Sequence, residues 1–128
     1  MSHITQIALE INDLNSLQTA VKALGLNFNE GQKQHKYFAN QRGTCDHAIS
    51  VPGNKEAYEI GVVQDGSNYK LQWDSFAGGK GLVQYVGQGA NKLKQEYAVS
   101  VAEKQARRDG YRVKRENVGG KIRLRITN

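Results

Sequence analysis

Residues 58–73 read Tyr-Glu-Ile-Gly-Val-Val-Gln-Asp-Gly-Ser-Asn-Tyr-Lys-Leu-Gln-Trp. The first six are rich in β-branched and aromatic residues (Tyr58, Ile60, Val62 and Val63), and Tyr69 to Trp73 alternate apolar with polar, as a half-buried strand does. Between them, Asp65-Gly66-Ser67-Asn68 is turn chemistry, because Asp and Gly tolerate positive φ. The segment predicts a β-hairpin, and with it an antiparallel rather than a parallel sheet.

Toward the N-terminus, residues 3–9 predict a strand. Asn12 or Asp13 then caps a helix whose apolar stripe is Leu14, Leu17, Val21 and Leu24, with Gly25 at its C-terminus. Residues 29–55 are polar and carry the single proline, Pro52. A structureless loop of that length is uncommon in a compact domain. Two short strands are expected there, near Lys36–Ala39 and His47–Val51, joined around Arg42-Gly43.

Toward the C-terminus, a glycine-rich connection (Gly78-Gly79-Lys80-Gly81) leads into a helix over about 81–108. Its stripe is Val86, Ala90, Leu93, Tyr97 and Val101, flanked by Ala98, Ala102 and Ala106. Gly87 and Gly89 each cost about 1 kcal/mol inside a helix, so they mark a kink or a break between a lead-in turn and the main helix. Asp109-Gly110 ends it. Tyr111–Glu116 and Lys121–Thr127 then form a second hairpin around Asn117-Val118-Gly119-Gly120. The expected fold is one α+β domain over residues 1–128, in the order β-α-(β)n-α-β-β. An antiparallel sheet of about six strands carries two helices on one face.

Composition sets wide bounds. A chain of 128 residues holds one core. No apolar run approaches the roughly 18 residues of a membrane span, and no charged segment followed by an apolar stretch suggests a secretion signal. The lone Cys45 excludes an internal disulfide and fits a reducing compartment, most simply the cytosol. Charge is uneven. Residues 92–128 hold eleven Lys and Arg against four acids, a net +7, which leaves −1 for residues 1–91. A neutral body with a basic end implies an anionic partner.

Strand periodicity gives that charge a shape. In the terminal hairpin Ile122, Leu124 and Ile126 alternate with Lys121, Arg123 and Arg125, and Tyr111 and Val113 alternate with Arg112 and Lys114. Arg112, Lys114, Glu116, Lys121, Arg123 and Arg125 therefore share one face. Arg115 falls on the other, with Val113. Lys104, Arg107 and Arg108 enter from the preceding helix end, where cations also favour the helix dipole. These eight cations, Arg112, Lys114, Lys121, Arg123, Arg125, Lys104, Arg107 and Arg108, are the candidate anion-binding or nucleic-acid-binding residues. A solvated outer face, or charge guarding an edge strand against aggregation, explains the same pattern without a ligand.

Other chemistry is poorly supported. Gly78–Gly81 lacks the first glycine and the Ser/Thr of a phosphate-binding loop. Gly87-x-Gly89 lacks the third glycine of a dinucleotide fingerprint. Cys45 and His47 share a strand face but stand parallel, with no third orienting group. His3, His35 and His47 show no ligand spacing, and they read as surface residues beside a partly buried cysteine. Glu56 and Glu59 sit near a strand start, and Asp65 and Asp74 sit in turns where backbone hydrogen bonding accounts for them.

An ordered set of landmarks resembles a known family. It comprises Met1-Ser2-His3, Asp13-Leu14 with Leu17, Gly25, Tyr58-x-Ile60-Gly61, Tyr69-x-Leu71 with Trp73, Tyr97-Ala98 and Gly110-Tyr111-x-Val113. The family is that of hypothetical chloroplast open reading frame thirty-five, uncharacterised proteins of cyanobacteria, algal plastids and cyanophages. Two positions depart from it: Ile4 stands where the family has Phe, and Trp73 is alone where the family tends to a tryptophan pair. The resemblance implies a cytosolic or stromal setting, or a phage-infected host cytoplasm. It implies no activity, so no functional residue carries over. The residues themselves predict a non-enzymatic protein that needs no cofactor and binds nucleic-acid phosphates. The alternatives are docking on an acidic protein surface, or a small phosphate or nucleotide ligand at Gly78–Gly81.

Overall fold

The computed structural model describes residues 4–128. The chain runs β1 (Thr5–Ile11), α1 (Leu14–Ala23), β2 (Asn27–Glu30), β3 (Gln34–Tyr37), β4 (Gln41–Thr44), β5 (His47–Ser50), β6 (Ile60–Asp65), β7 (Asn68–Trp73), α2 (Val83–Val86), α3 (Asn91–Arg108), β8 (Arg112–Val118) and β9 (Lys121–Thr127). Met1, Ser2 and His3, where the first strand was expected to start, lie outside the described residues.

Five strands form one sheet in the order β1-β7-β6-β5-β2, antiparallel throughout. The hairpin of residues 58–73 is its centre, closed by the two-residue loop Gly66-Ser67. Ile7, Leu71 and Val62 align across β1, β7 and β6, and Ile49 aligns with Ile60 across β5 and β6. All five are buried with Leu17, Val21, Leu93 and Tyr97, so α1 and α3 cover this face. The α+β architecture, with two helices on one face of an antiparallel sheet, is as expected.

The strand inventory differs in two places. First, β2 and β4 were not foreseen, and Arg42-Gly43 lies inside β4 rather than in a turn. The β3–β4 hairpin forms its own two-stranded sheet. It lies on the face opposite the helices, where Gln72 faces His35. Second, the terminal hairpin β8–β9 is also a separate two-stranded sheet. It packs on α3 and adds nothing to the main sheet, which therefore has five strands rather than six.

The long helix expected over 81–108 is broken where the glycines fall. α2 is a single turn, and α3 starts only at Asn91. Two side chains of α3, Tyr97 and Lys104, reach the capped N-terminus of α1. The Tyr97 hydroxyl accepts from the backbone N–H of Asn12 and Asp13 and donates to Asn12 Oδ1 (3.0–3.2 Å). Asp13 caps α1 by accepting from Ser16 N. Lys104 Nζ reaches Asp13 Oδ2 at 2.8 Å, and its hydrogen bond holds that carboxyl below its usual pKa.

Candidate functional site

Residues 111–128 build a ribbon with two unlike faces. The register pairs Lys114 with Arg125, Glu116 with Arg123 and Val118 with Lys121. Arg112, Lys114, Lys121, Arg123 and Arg125 thus stand together on one exposed face, as the alternation predicts. Lys114 directly opposes Arg125, a like-charge pair that destabilises a sheet. Glu116 reaches diagonally to Arg125 (3.1 Å). Among the described residues no ion pair engages Arg112, Lys114, Lys121 or Arg123.

The opposite face carries Val113, Arg115, Ile122, Leu124 and Ile126. It is only partly covered by α3. Arg115 fixes it there, with Nη2 3.1 Å from both Glu96 and Glu103. Sequence parity removed Arg115 from the basic face, and this bridge is its function in the fold. A charge on an otherwise apolar face was the available signal.

The structure separates the helix-end cations from the ribbon face. Lys104 is committed to Asp13 of α1, and Arg107 lies 3.6 Å from Glu103 and donates to the Val113 carbonyl. α3 packs beneath the ribbon's apolar side, so Lys104 faces α1 rather than the exposed basic face. Arg108 is exposed at the last turn of α3. The candidate surface thus narrows to the five ribbon cations.

The Gly78–Gly81 connection takes an unusual form. Ala77, Gly78, Gly79 and Lys80 are consecutive left-handed residues, with φ from 52° to 65°. Each non-glycine residue in that region costs about 1–2 kcal/mol. The helix that follows has only four residues, so no extended helix N-terminus faces the connection. Tyr58 N–H, donating to Gly79 O (2.9 Å), helps hold the turn. Facing it is the β3–β4 connection, where Ala39 and Asn40 are left-handed as well (56° and 60°). Between the two turns lies a cleft of about 280 Å³, lined by Phe38, Asn40, Glu56, Tyr58 and Lys80 among others. Phe38 and Phe76 meet edge to face beside it, with ring centroids 5.3 Å apart. Tyr58 is buried, and its phenol pKa is pushed up by burial and by nearby Asp74. Asp74 is itself buried: Oδ1 accepts from Phe76 N, while Oδ2 has no hydrogen-bond partner among the described residues.

The cysteine and histidines read differently in space. Burial pushes the Cys45 thiol up to about 11, and its Sγ sits 3.2 Å from the Gln32 carbonyl. A thiol so protonated is a poor nucleophile. His47 Nδ1 accepts from Gly31 N, and its ring lies between Phe28 and Tyr69. His35, expected at the surface, is fully buried. It occupies the seam between β3–β4 and the main sheet, where Gln72 Nε2 approaches its Nε2 at 3.1 Å. No group of three His, Cys, Asp or Glu among the described residues is placed to hold a metal. No helix among them is long and apolar enough to cross a membrane.

A five-stranded antiparallel sheet, a helix pair on one face and a separate hairpin on each side define a small α+β protein with an exposed basic ribbon. The profile of the family described as "Protein of unknown function (DUF1257)" matches residues 20–127, and the chain belongs to that family. It is also similar to "Uncharacterized protein ycf35" of Cyanophora paradoxa, at 32% identity over 71 residues. That match covers 56% of this chain and 53% of the relative, so the chain spans about half the length of the curated relative it matches. No solved structure matches the chain.

Proposed function

We propose that this is a non-enzymatic binding protein whose β8–β9 ribbon contacts the phosphates of a nucleic acid. One observation carries the reading. Arg112, Lys114, Lys121, Arg123 and Arg125 crowd one exposed face with a single acid, Glu116, to offset them. An anion relieves that repulsion, and releasing the counterions that phosphates hold adds to affinity. The face presents no aromatic side chain, so it contacts backbone rather than stacking on bases. The buried free thiol of Cys45 suits a reducing compartment, either cytosol or plastid stroma.

Fluorescence anisotropy with labelled duplex and single-stranded oligonucleotides tests the proposal across a salt series. The expected log–log slope on duplex is about −3 to −5, from four or five phosphate contacts. Arg123→Gln with Arg125→Gln should weaken all sequences alike and flatten the slope by about 2 units. A flat salt dependence overturns the proposal. So does capture of one acidic protein that survives nuclease treatment while oligonucleotides fail to bind.

A further inference from the structure

The geometry points to a second, independent site. The cleft between the β3–β4 turn and the 77–80 turn binds a small organic molecule through an oxyanion group, a phosphate or a carboxylate.

Three observations converge on it. The first is strain. Asn40 and Lys80 both line the cleft from left-handed backbone; Asn40 follows the left-handed Ala39, and Lys80 ends the left-handed run that starts at Ala77. Backbone held in sparsely populated regions by two separate loops at one place marks a functional site more often than chance. Here the strain aims two polar side chains at a common volume.

The second is the set of donors. Lys80 has no ion-pair partner among the described residues. Tyr58 lines the cleft, is 5% exposed, and its hydroxyl makes no hydrogen bond to a described residue. Its phenol is held protonated, so it donates throughout the physiological range. Asn40 adds an amide. Lys36 lines the cleft too, its Nζ donating to the Lys55 carbonyl, so two cations and two neutral donors against the single acid Glu56 suit an oxyanion.

The third is the apolar wall. Phe38 and Phe76 are both exposed, at 36% and 47%, yet they pack edge to face beside the donors. An exposed aromatic pair next to converging polar groups suits the organic body of a ligand. The volume falls just below the range for drug-sized ligands, about 300–1,000 Å³, which favours a small molecule.

Amide NMR of the full chain tests the site, with three probes titrated separately: inorganic phosphate, glycerol phosphate and succinate. The expected result is saturable shifts at Asn40, Tyr58, Gly79 and Lys80 with an organic probe. Glycerol phosphate alone identifies a phosphate ligand, and succinate alone a carboxylate; either supports the site. Lys80→Gln should weaken that probe at least tenfold, and Tyr58→Phe several-fold. Arg123→Gln with Arg125→Gln should change nothing, which separates this site from the ribbon. Lys80→Gly should raise the thermal midpoint by releasing strain while losing the probe. Four results overturn the inference: no saturable shift with any probe; shifts with inorganic phosphate only; shifts confined to residues 111–128; or a Lys80→Gly protein that binds as well as the parent.

Discussion

Two hairpins lie outside the main sheet, and they are held by opposite means. β3–β4 is fixed by steric fit. His35, with no exposed surface, fills the space above Gly43 and Gly61, where an added Cβ would come within 2.5 Å and 2.4 Å of its ring. β8–β9 is fixed by charge. Its apolar side chains are only half covered, and Arg115 ties it to Glu96 and Glu103. A ribbon locked into a core cannot offer its face to a partner, whereas one tethered by a surface bridge keeps a face free. The difference places the stable seam on one side of the molecule and the exposed basic ribbon on the other.

The seam breaks hardest. Gly61→Ala puts a methyl group inside the His35 ring position, and a fully buried ring has nowhere to swing. A loss of about 2–3 kcal/mol is expected in urea unfolding. Adding His35→Ala to Gly61→Ala should recover part of it, because the two changes share one space. If the double variant is as unstable as the sum of the singles, the fit is not what holds β3–β4.

Acid comes next. Burial lowers the His35 pKa below its ordinary 6.5, more than Glu59 raises it. An amide nitrogen only donates, so Gln72 Nε2 gives one hydrogen to His35 Nε2 and the other to the Thr44 carbonyl. A protonated ring would set donor against donor. The unfolded chain takes up a proton as pH falls through 6.5, while the folded chain resists. Stability should therefore decline from about pH 6.5 down to the folded pKa and level off below it. The thermal midpoint should track this, with hydrogen exchange rising first in β3–β4. A His35→Gln protein should lose this step, and β8–β9 should not respond in that window.

The tether is weaker. The Arg115 side chain is 32% exposed, so solvent screens its pairs and their worth is about 1 kcal/mol or less. Arg115→Ala should accelerate amide exchange in β8 and β9 and leave β3–β4 protected. Equal acceleration in both hairpins would mean that the molecule opens as one unit, and the contrast between them would fail.

The two hairpins also differed in how far sequence disclosed them. Alternation in Lys121–Thr127 is strict because one side of β9 meets α3 and the other meets solvent. Strand and basic face were readable there, while the register stayed open between a Val118-Gly119 and a Gly119-Gly120 turn until Val118 was seen to pair with Lys121. Periodicity says which face is apolar but not what covers it, so the detachment from the main sheet was not readable. Gly87 and Gly89 announced the helix break because glycine inside a helix is costly. β2 and β4 left no such trace. Asn27–Glu30 is a polar edge strand, and Gln41–Thr44 carries Gly43 because a histidine eight residues earlier needs the room. The cleft was invisible for a similar reason: Ala39, Ala77 and Lys80 are ordinary residues whose left-handed backbone is imposed by tertiary contacts.

The smallest expected effect separates stability from binding on the ribbon itself. Lys114 opposes Arg125 directly, and Glu116 already spans the diagonal. Lys114→Glu converts a repulsive cross-strand pair into an attractive one, a gain of a few tenths to about 1 kcal/mol in the hairpin. If the face exists only as a solvated exterior, that gain is the whole consequence. If it exists to meet phosphates, the same change removes one contact and adds a repulsive charge. Oligonucleotide affinity should then fall while amide protection in β8 and β9 rises. Measured on one sample, the two readouts move in opposite directions only when the repulsion on this face is kept for a partner.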